Sequence, residues 1–225
     1  SIKKIVFTPP LSGYYSRQAV QLIEMLAETF PAATRLCANH LKDSTSPDAA
    51  ASDTGTNAVM SAEVARKNAL VANAARKYGF RILDSDGTTN LLSEYDSCDL
   101  HVGYECHAHI AFLRKRIPSV LIHEDARGVG YSYTLGNAGF DGFIRAAGST
   151  QHSGASMIRK RITSGYATTQ DEIALASPRE GLADMIRRYI IEEIESDWTR
   201  LSRIPDVIDR TYEKAMEPFI RAVFR

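Results

Sequence analysis

Short apolar runs bounded by turn residues alternate along this chain with longer stretches of helical period. The runs KIVFT (Lys4–Thr8), TRLCA (Thr34–Ala38), FRILD (Phe80–Asp84), DLHVGY (Asp99–Tyr104) and SVLIH (Ser119–His123) read as strands. Between the first two, SRQAVQLIEMLAETF sets Val20, Ile23, Ala27 and Phe30 on one helical face, with Ser16 as the expected N-cap and Pro31 as the stop. A second crossover helix is expected over the alanine-rich segment from Asn57, which meets no proline or glycine before Gly79. That glycine stands where a left-handed C-cap belongs. The alternation predicts an α/β fold: a Rossmann-like, mostly parallel sheet of about five or six strands with helices on both faces.

Three regions break the rhythm. Leu41 to Thr56 is polar and too long for an ordinary connection, so it is expected to be mobile rather than functional. Beyond the fifth strand, the chain from Ala126 to Phe143 is punctuated by glycine, and the polar segment from Ala146 to Gln170 predicts no clear element. From Glu180 a helical pattern returns with Leu182, Met185, Ile186, Tyr189, Ile190 and Ile194, followed by Trp198, Leu201 and Ile204. Pro205 is expected to bend the chain there. A last helix carries Val207, Ile208, Tyr212, Met216, Phe219, Ile220 and Val223. The expected organisation is a core over residues 1–145, then an irregular segment and a C-terminal helical extension over 146–225, packing on the same domain or onto a partner.

Charge narrows the function classes. The chain has 225 residues, with 27 basic and 27 acidic side chains, so the general attraction to phosphate backbones is absent and nucleic acid is not an expected partner. Three cysteines, Cys37, Cys98 and Cys106, lie in no paired spacing, which suits a reducing compartment, and a cytoplasmic location is expected. No stretch approaches the roughly 20 apolar residues of a spanning helix. The start, SIKKIVFTPP, breaks at two prolines before any signal-type apolar region forms, and suits a processed terminus or an excised domain.

Chemistry is expected just past the strand ends, where an open parallel sheet receives ligands and helices present free N–H groups. Glu105, Cys106 and His107 open a helix there, and His109 lies about 200° around the axis from His107, so His107 is the functional candidate. The spacing of Cys106, His107, His109, His101 and His123 does not match short-range metal-ligand patterns, and no metal is expected. After the fifth strand, Arg127 stands beside Glu124 and Asp125 and is followed by glycines that would let backbone approach a ligand; the alternative is a local ion pair. After the first strand, Ser12, Tyr14 and Arg17 are candidates to line a sugar or phosphate site. Asp86, in the turn DSDGTTN, is a secondary candidate.

The segment YDSCDLHVGYECHAHIAFLRKRIPSVLIHEDARG resembles the signature region of the polysaccharide pyruvyltransferase family over about Asp96 to Gly128. That signature has an aspartate-led strand, a glycine, an R-x-H motif opening a helix, then "iPs", a strand, and an acidic residue near a cation. The resemblance implies half of a GT-B-type enzyme of cell-surface polysaccharide biosynthesis. Such an enzyme moves a pyruvyl unit from phosphoenolpyruvate, an anionic co-substrate needing no further cofactor, onto a hydroxyl of a sugar or glycan acceptor. It implies a catalytic role for His107 and a donor contact for Arg127, with either an additional N-terminal domain or a homo-oligomer completing the cleft. Where the motif has arginine this chain has Glu105. A carboxylate about 4 Å from an anionic donor costs on the order of 4 kcal/mol near a protein surface. The same fold therefore also suits a non-catalytic sugar-binding or assembly module, or a nucleotide-sugar-dependent glycosyltransferase domain.

Overall fold

A computed structural model describes residues 1–39, 56–84, 90–135, 139–145 and 176–223. Its centre is a six-stranded, wholly parallel sheet built from β1 (Lys4–Thr8), β2 (Thr34–Asn39), β3 (Phe80–Asp84), β4 (Leu100–Gly103), β5 (Ser119–His123) and the short β6 (Phe140–Asp141). The strands lie in the order β3-β2-β1-β4-β5-β6, the doubly wound Rossmann order that reverses between β1 and β4. A small antiparallel pair, β7 (Phe143–Arg145) and β8 (Ala176–Pro178), is attached beyond it.

The continuous apolar runs follow from burial on both faces. Ile5, Phe7, Leu100, Val102, Val120 and Ile122 point to one face, under α1 (Ser16–Thr29) and α2 (Thr56–Lys77). Val6, Leu36 and Ala38 point to the other, under α3 (Asn90–Tyr95) and α4 (Cys106–Arg114), where they meet Tyr95, Ala108 and Phe112. Helix α1 buries more than the expected stripe. Ala19, Leu22, Ile23, Met25 and Leu26 are buried, while Val20, Ala27 and Phe30 are only partly so, because α2 and a later helix both pack against α1.

Ser16 is the first residue of α1 rather than its N-cap, and the N-cap position is held by Tyr15, whose side chain makes no capping bond to the helix. The cause is a 3₁₀ turn, Gly13–Tyr15, that runs straight into the helix: Ser12 caps that turn, and the Ser16 hydroxyl donates to Gly13 O at 2.8 Å. Gly79 takes the expected left-handed conformation after α2, with φ +73°.

Residues Ala126–Leu135, whose glycines suggested an open ligand loop, form helix α5. Gly128 is buried, and a Cβ there would lie 2.9 Å from His123 Cδ2, so this glycine serves close packing of α5 on β5. Helix α6 (Leu182–Glu195) joins the main core through Leu182, Ile186, Tyr189 and Ile190. The chain then turns at Asp197 and Trp198, both at positive φ, and not at Pro205. Pro205 sits in the first turn of α7 (Arg203–Thr211), where its missing N–H breaks no helical bond. A π turn, Tyr212–Met216, precedes α8 (Glu217–Val223), and the Glu217 N–H reaches back to Tyr212 O just ahead of Pro218. The stripe of Tyr212, Met216, Phe219, Ile220 and Val223 is exposed. No helix among the described residues is long and apolar enough to cross a membrane. The irregular segment 146–175 and the polar loop 40–55 lie outside the described residues.

Candidate functional site

The carboxyl ends of β1, β4 and β5 lie side by side, because β4 is hydrogen-bonded between the other two strands. Seven of the eight residues that sequence reading selected follow these ends: Ser12, Tyr14 and Arg17 after β1, Glu105 and His107 after β4, and Asp125 and Arg127 after β5. Asp86 lies outside the described residues.

At the turning point of strand order the backbone is very close. Gly103 pairs with Thr8, and a Cβ at Gly103 would lie 2.2 Å from Thr8 Oγ1 and 2.3 Å from Thr8 O, so no side chain fits. The Thr8 hydroxyl accepts from Glu105 N at 3.2 Å and contacts His101 Nε2 at 2.8 Å. Beneath it the Ser119 hydroxyl lies between His101 Nδ1 at 2.7 Å and His109 Nδ1 at 2.6 Å. Both histidines are fully buried, and burial pushes the His109 imidazole down to about 4, with His123 adding to the effect. His109 therefore belongs to a buried polar network that holds α4 on β4 and β5.

Glu105 is placed at the N-cap of α4 by its extended backbone and accepts from His107 N at 3.0 Å. The same oxygen, Oε1, lies 2.6 Å from His107 Nδ1. A carboxylate can only accept, so Nδ1 carries the hydrogen and the lone pair is on Nε2. The Glu105 side chain is 11% exposed and that of His107 84%, so an anchored carboxylate aims an open imidazole outward.

Arg127 does not reach outward in the same way. Its Nε and Nη2 donate to Asp125 Oδ2 at 3.0 and 2.7 Å, and its backbone N–H donates to Asp125 Oδ1 at 2.8 Å. Asp125 thus caps α5 and neutralises the guanidinium that follows it.

Glu124 closes the rim. Its two carboxylate oxygens accept from Leu11 N and Ser12 N, each at 3.0 Å, tying the loop after β1 to the end of β5 across β4. Burial pushes this carboxyl up to about 7, opposed by the two backbone N–H groups and by Arg127, and reinforced by Asp125. Sequence reading placed Glu124 beside Arg127 without giving it this role. The available signal was an acid directly after a wholly apolar strand, and its N–H partners are more than 100 residues away in the chain. Tyr14 packs edge-on against Tyr15, with ring centroids 5.3 Å apart, and Arg17 is exposed on the first turn of α1.

The rim is therefore more acidic than a phosphate site. Glu105, Glu124 and Asp125 each occupy backbone N–H groups that would otherwise be available to an anion. Cys106 is no nucleophile at neutral pH, because burial and then Asp125 push its thiol up to about 12. Among the described residues no three His, Cys, Asp or Glu side chains group as a metal site.

The fold and this rim define a Rossmann-type α/β domain with its polar groups at the carboxyl edge of the sheet. No family model matches the chain, and no curated protein matches it. Among solved structures, a mutant of the Thermobaculum terrenum O-GlcNAc transferase is similar at 14% identity, over 94% of this chain and 35% of that one, with a TM-score of 0.36. The chain thus spans about a third of that protein's length, and a score this low assigns neither fold nor activity.

Proposed function

We propose that this domain serves a sugar-modifying transferase, with the His107–Glu105 pair as general base toward an acceptor hydroxyl. One observation carries the reading: Glu105 Oε1 fixes the His107 tautomer at 2.6 Å and leaves Nε2, on a highly exposed ring, to accept a proton. Glutamate in the arginine position of the R-x-H pattern then has a chemical use, since an orienting carboxylate makes the neighbouring imidazole a better base. Pyruvyl transfer from phosphoenolpyruvate is the reaction implied by the sequence resemblance. In that reaction His107 would take the proton of the attacking sugar hydroxyl, and Ser12, Tyr14 and Asp125 would supply polar contacts to the acceptor.

The donor half has less support. Arg127 is already bound by Asp125, so a donor phosphate or carboxylate must displace that carboxylate or find its cations elsewhere. This favours a second reading, a sugar-binding module without turnover.

The test is incubation with phosphoenolpyruvate and hexoside acceptors, following phosphate release, alongside calorimetry of each compound alone. The transferase reading expects release that falls by about 10²-fold or more in His107→Gln. Acceptor binding without release selects the binding module. Failure of acceptors to bind, or release indifferent to His107→Gln, overturns the assignment of this pair.

A further inference from the structure

A second histidine, one strand over, is arranged differently. His123, at the end of β5, has Nδ1 2.9 Å from Asp141 Oδ1 on β6 and Nε2 2.6 Å from Ser132 Oγ on α5. The carboxylate accepts, so Nδ1 carries the hydrogen, Nε2 holds the lone pair, and the Ser132 hydroxyl donates to it. That sequence of groups, nucleophile to base to orienting acid, is the geometry that activates a serine for acyl transfer on unrelated folds.

Two further facts separate this cluster from a structural network. The Ser119 hydroxyl, which also touches histidines, is fully buried between two rings. Ser132 is half-buried and Asp141 is 45% exposed at its side chain, whereas the base between them is 5% exposed, so the base is dry while its nucleophile is within reach of solvent. Gly139 completes the arrangement: a Cβ there would lie 2.1 Å from His123 Nε2 and 2.2 Å from Ser132 Oγ. Only glycine lets the backbone lie against both reacting atoms without pushing them apart.

We infer that Ser132 is a nucleophile for an activated acyl ester, with His123 as its general base and Asp141 as a positioning residue. Ser132 Oγ bonds to the acyl carbon, its proton passes to His123 Nε2, and the carbon–oxygen bond to the departing alcohol breaks as that alcohol takes the proton. Water then attacks the acyl-serine with the same imidazole as base, releasing a carboxylic acid and restoring the hydroxyl. This site is independent of the His107 pair, and failure here leaves that proposal standing.

The test treats the intact chain with diisopropyl fluorophosphate, which forms an Oγ–P bond with loss of fluoride, and locates the adduct by peptide mass spectrometry. The expected result is an adduct on Ser132, absent in Ser132→Ala and formed about 10²-fold more slowly in His123→Gln. Asp141→Asn slows it as well with Tm unchanged, since the amide no longer enforces the tautomer, an effect that a purely structural role would not produce. If His123→Gln unfolds, the comparison is with the urea-unfolded wild-type chain, which must label about 10²-fold more slowly than the native one. Absence of a Ser132 adduct in the native chain, or equal rates in either comparison, overturns the inference.

Discussion

Glu124 and His109 act on the pH dependence of stability with opposite signs. Burial raises Glu124 from 4.5 to about 7, so between those values the native state holds more protons than the unfolded chain, and stability is lost as pH rises. Burial lowers His109 from 6.5 to about 4, so over that window the unfolded chain holds more protons, and stability is lost as pH falls. Each effect is worth on the order of 3 kcal/mol, and over their shared window the two nearly cancel. Glu124→Gln should therefore reveal a Tm that climbs from about pH 4.5 to 6.5 more steeply than in the wild type, measured by calorimetry in matched buffers. An identical slope in the two proteins would show that Glu124 titrates normally. Gly103→Ala is a harsher change, because the new methyl meets Thr8 Oγ1, O and N between 2.2 and 2.6 Å. Urea unfolding should show a loss of more than about 2 kcal/mol.

At the scale of elements, the corner between α6 and α7 rests on an asymmetric ion pair. The Glu193 side chain is fully buried and accepts from Leu201 N at 3.1 Å, whereas its partner Arg200 is 48% exposed and lies over the Tyr189 ring at 4.6 Å. Removing the arginine strands a buried carboxylate, whereas Glu193→Gln keeps a side-chain oxygen for the buried Leu201 N–H and carries no charge to strand. Arg200→Met is expected to cost about 3 kcal/mol, and adding Glu193→Gln should recover part of that loss in a double-mutant cycle. Additive effects would mean that the pair contributes little. Helix α4 offers a milder case: Glu105→Ala removes its cap and should cost about 1 kcal/mol in thermal unfolding, while leaving His107 without its orienting partner.

For the whole molecule, the main core gathers one face of β1, β4 and β5 with α1, α2 and α6, and ends near Leu201 and Ile204. Nothing from Tyr212 to Val223 is buried. A chain ending at Thr211 should therefore unfold within about 2 °C of the full one, since exposed residues contribute only tenths of a kcal/mol each. A larger fall in Tm would mean that the exposed Tyr212, Met216, Phe219, Ile220 and Val223 stripe is covered in solution.

Period and punctuation were enough for the architecture. The five expected strands, the crossover helices and the cap at Gly79 all follow from local rules, since burial on both faces demands continuous apolar runs and a left-handed cap demands glycine. The same local rules misjudged Ser16, Pro205 and Gly128 of α5, because each depends on what the neighbouring element does: a 3₁₀ turn, a turn at Asp197 and Trp198, and the close approach of His123. The strand ends could be nominated from sequence, and so could His107 and Arg127. Only the folded chain decided that Glu105 orients one, that Asp125 binds the other, and that Glu124, Ser132 and Asp141 stand where they do. Hydrogen-bond partners are chosen by distance in space, and a parallel sheet brings together residues that the order of the chain keeps apart.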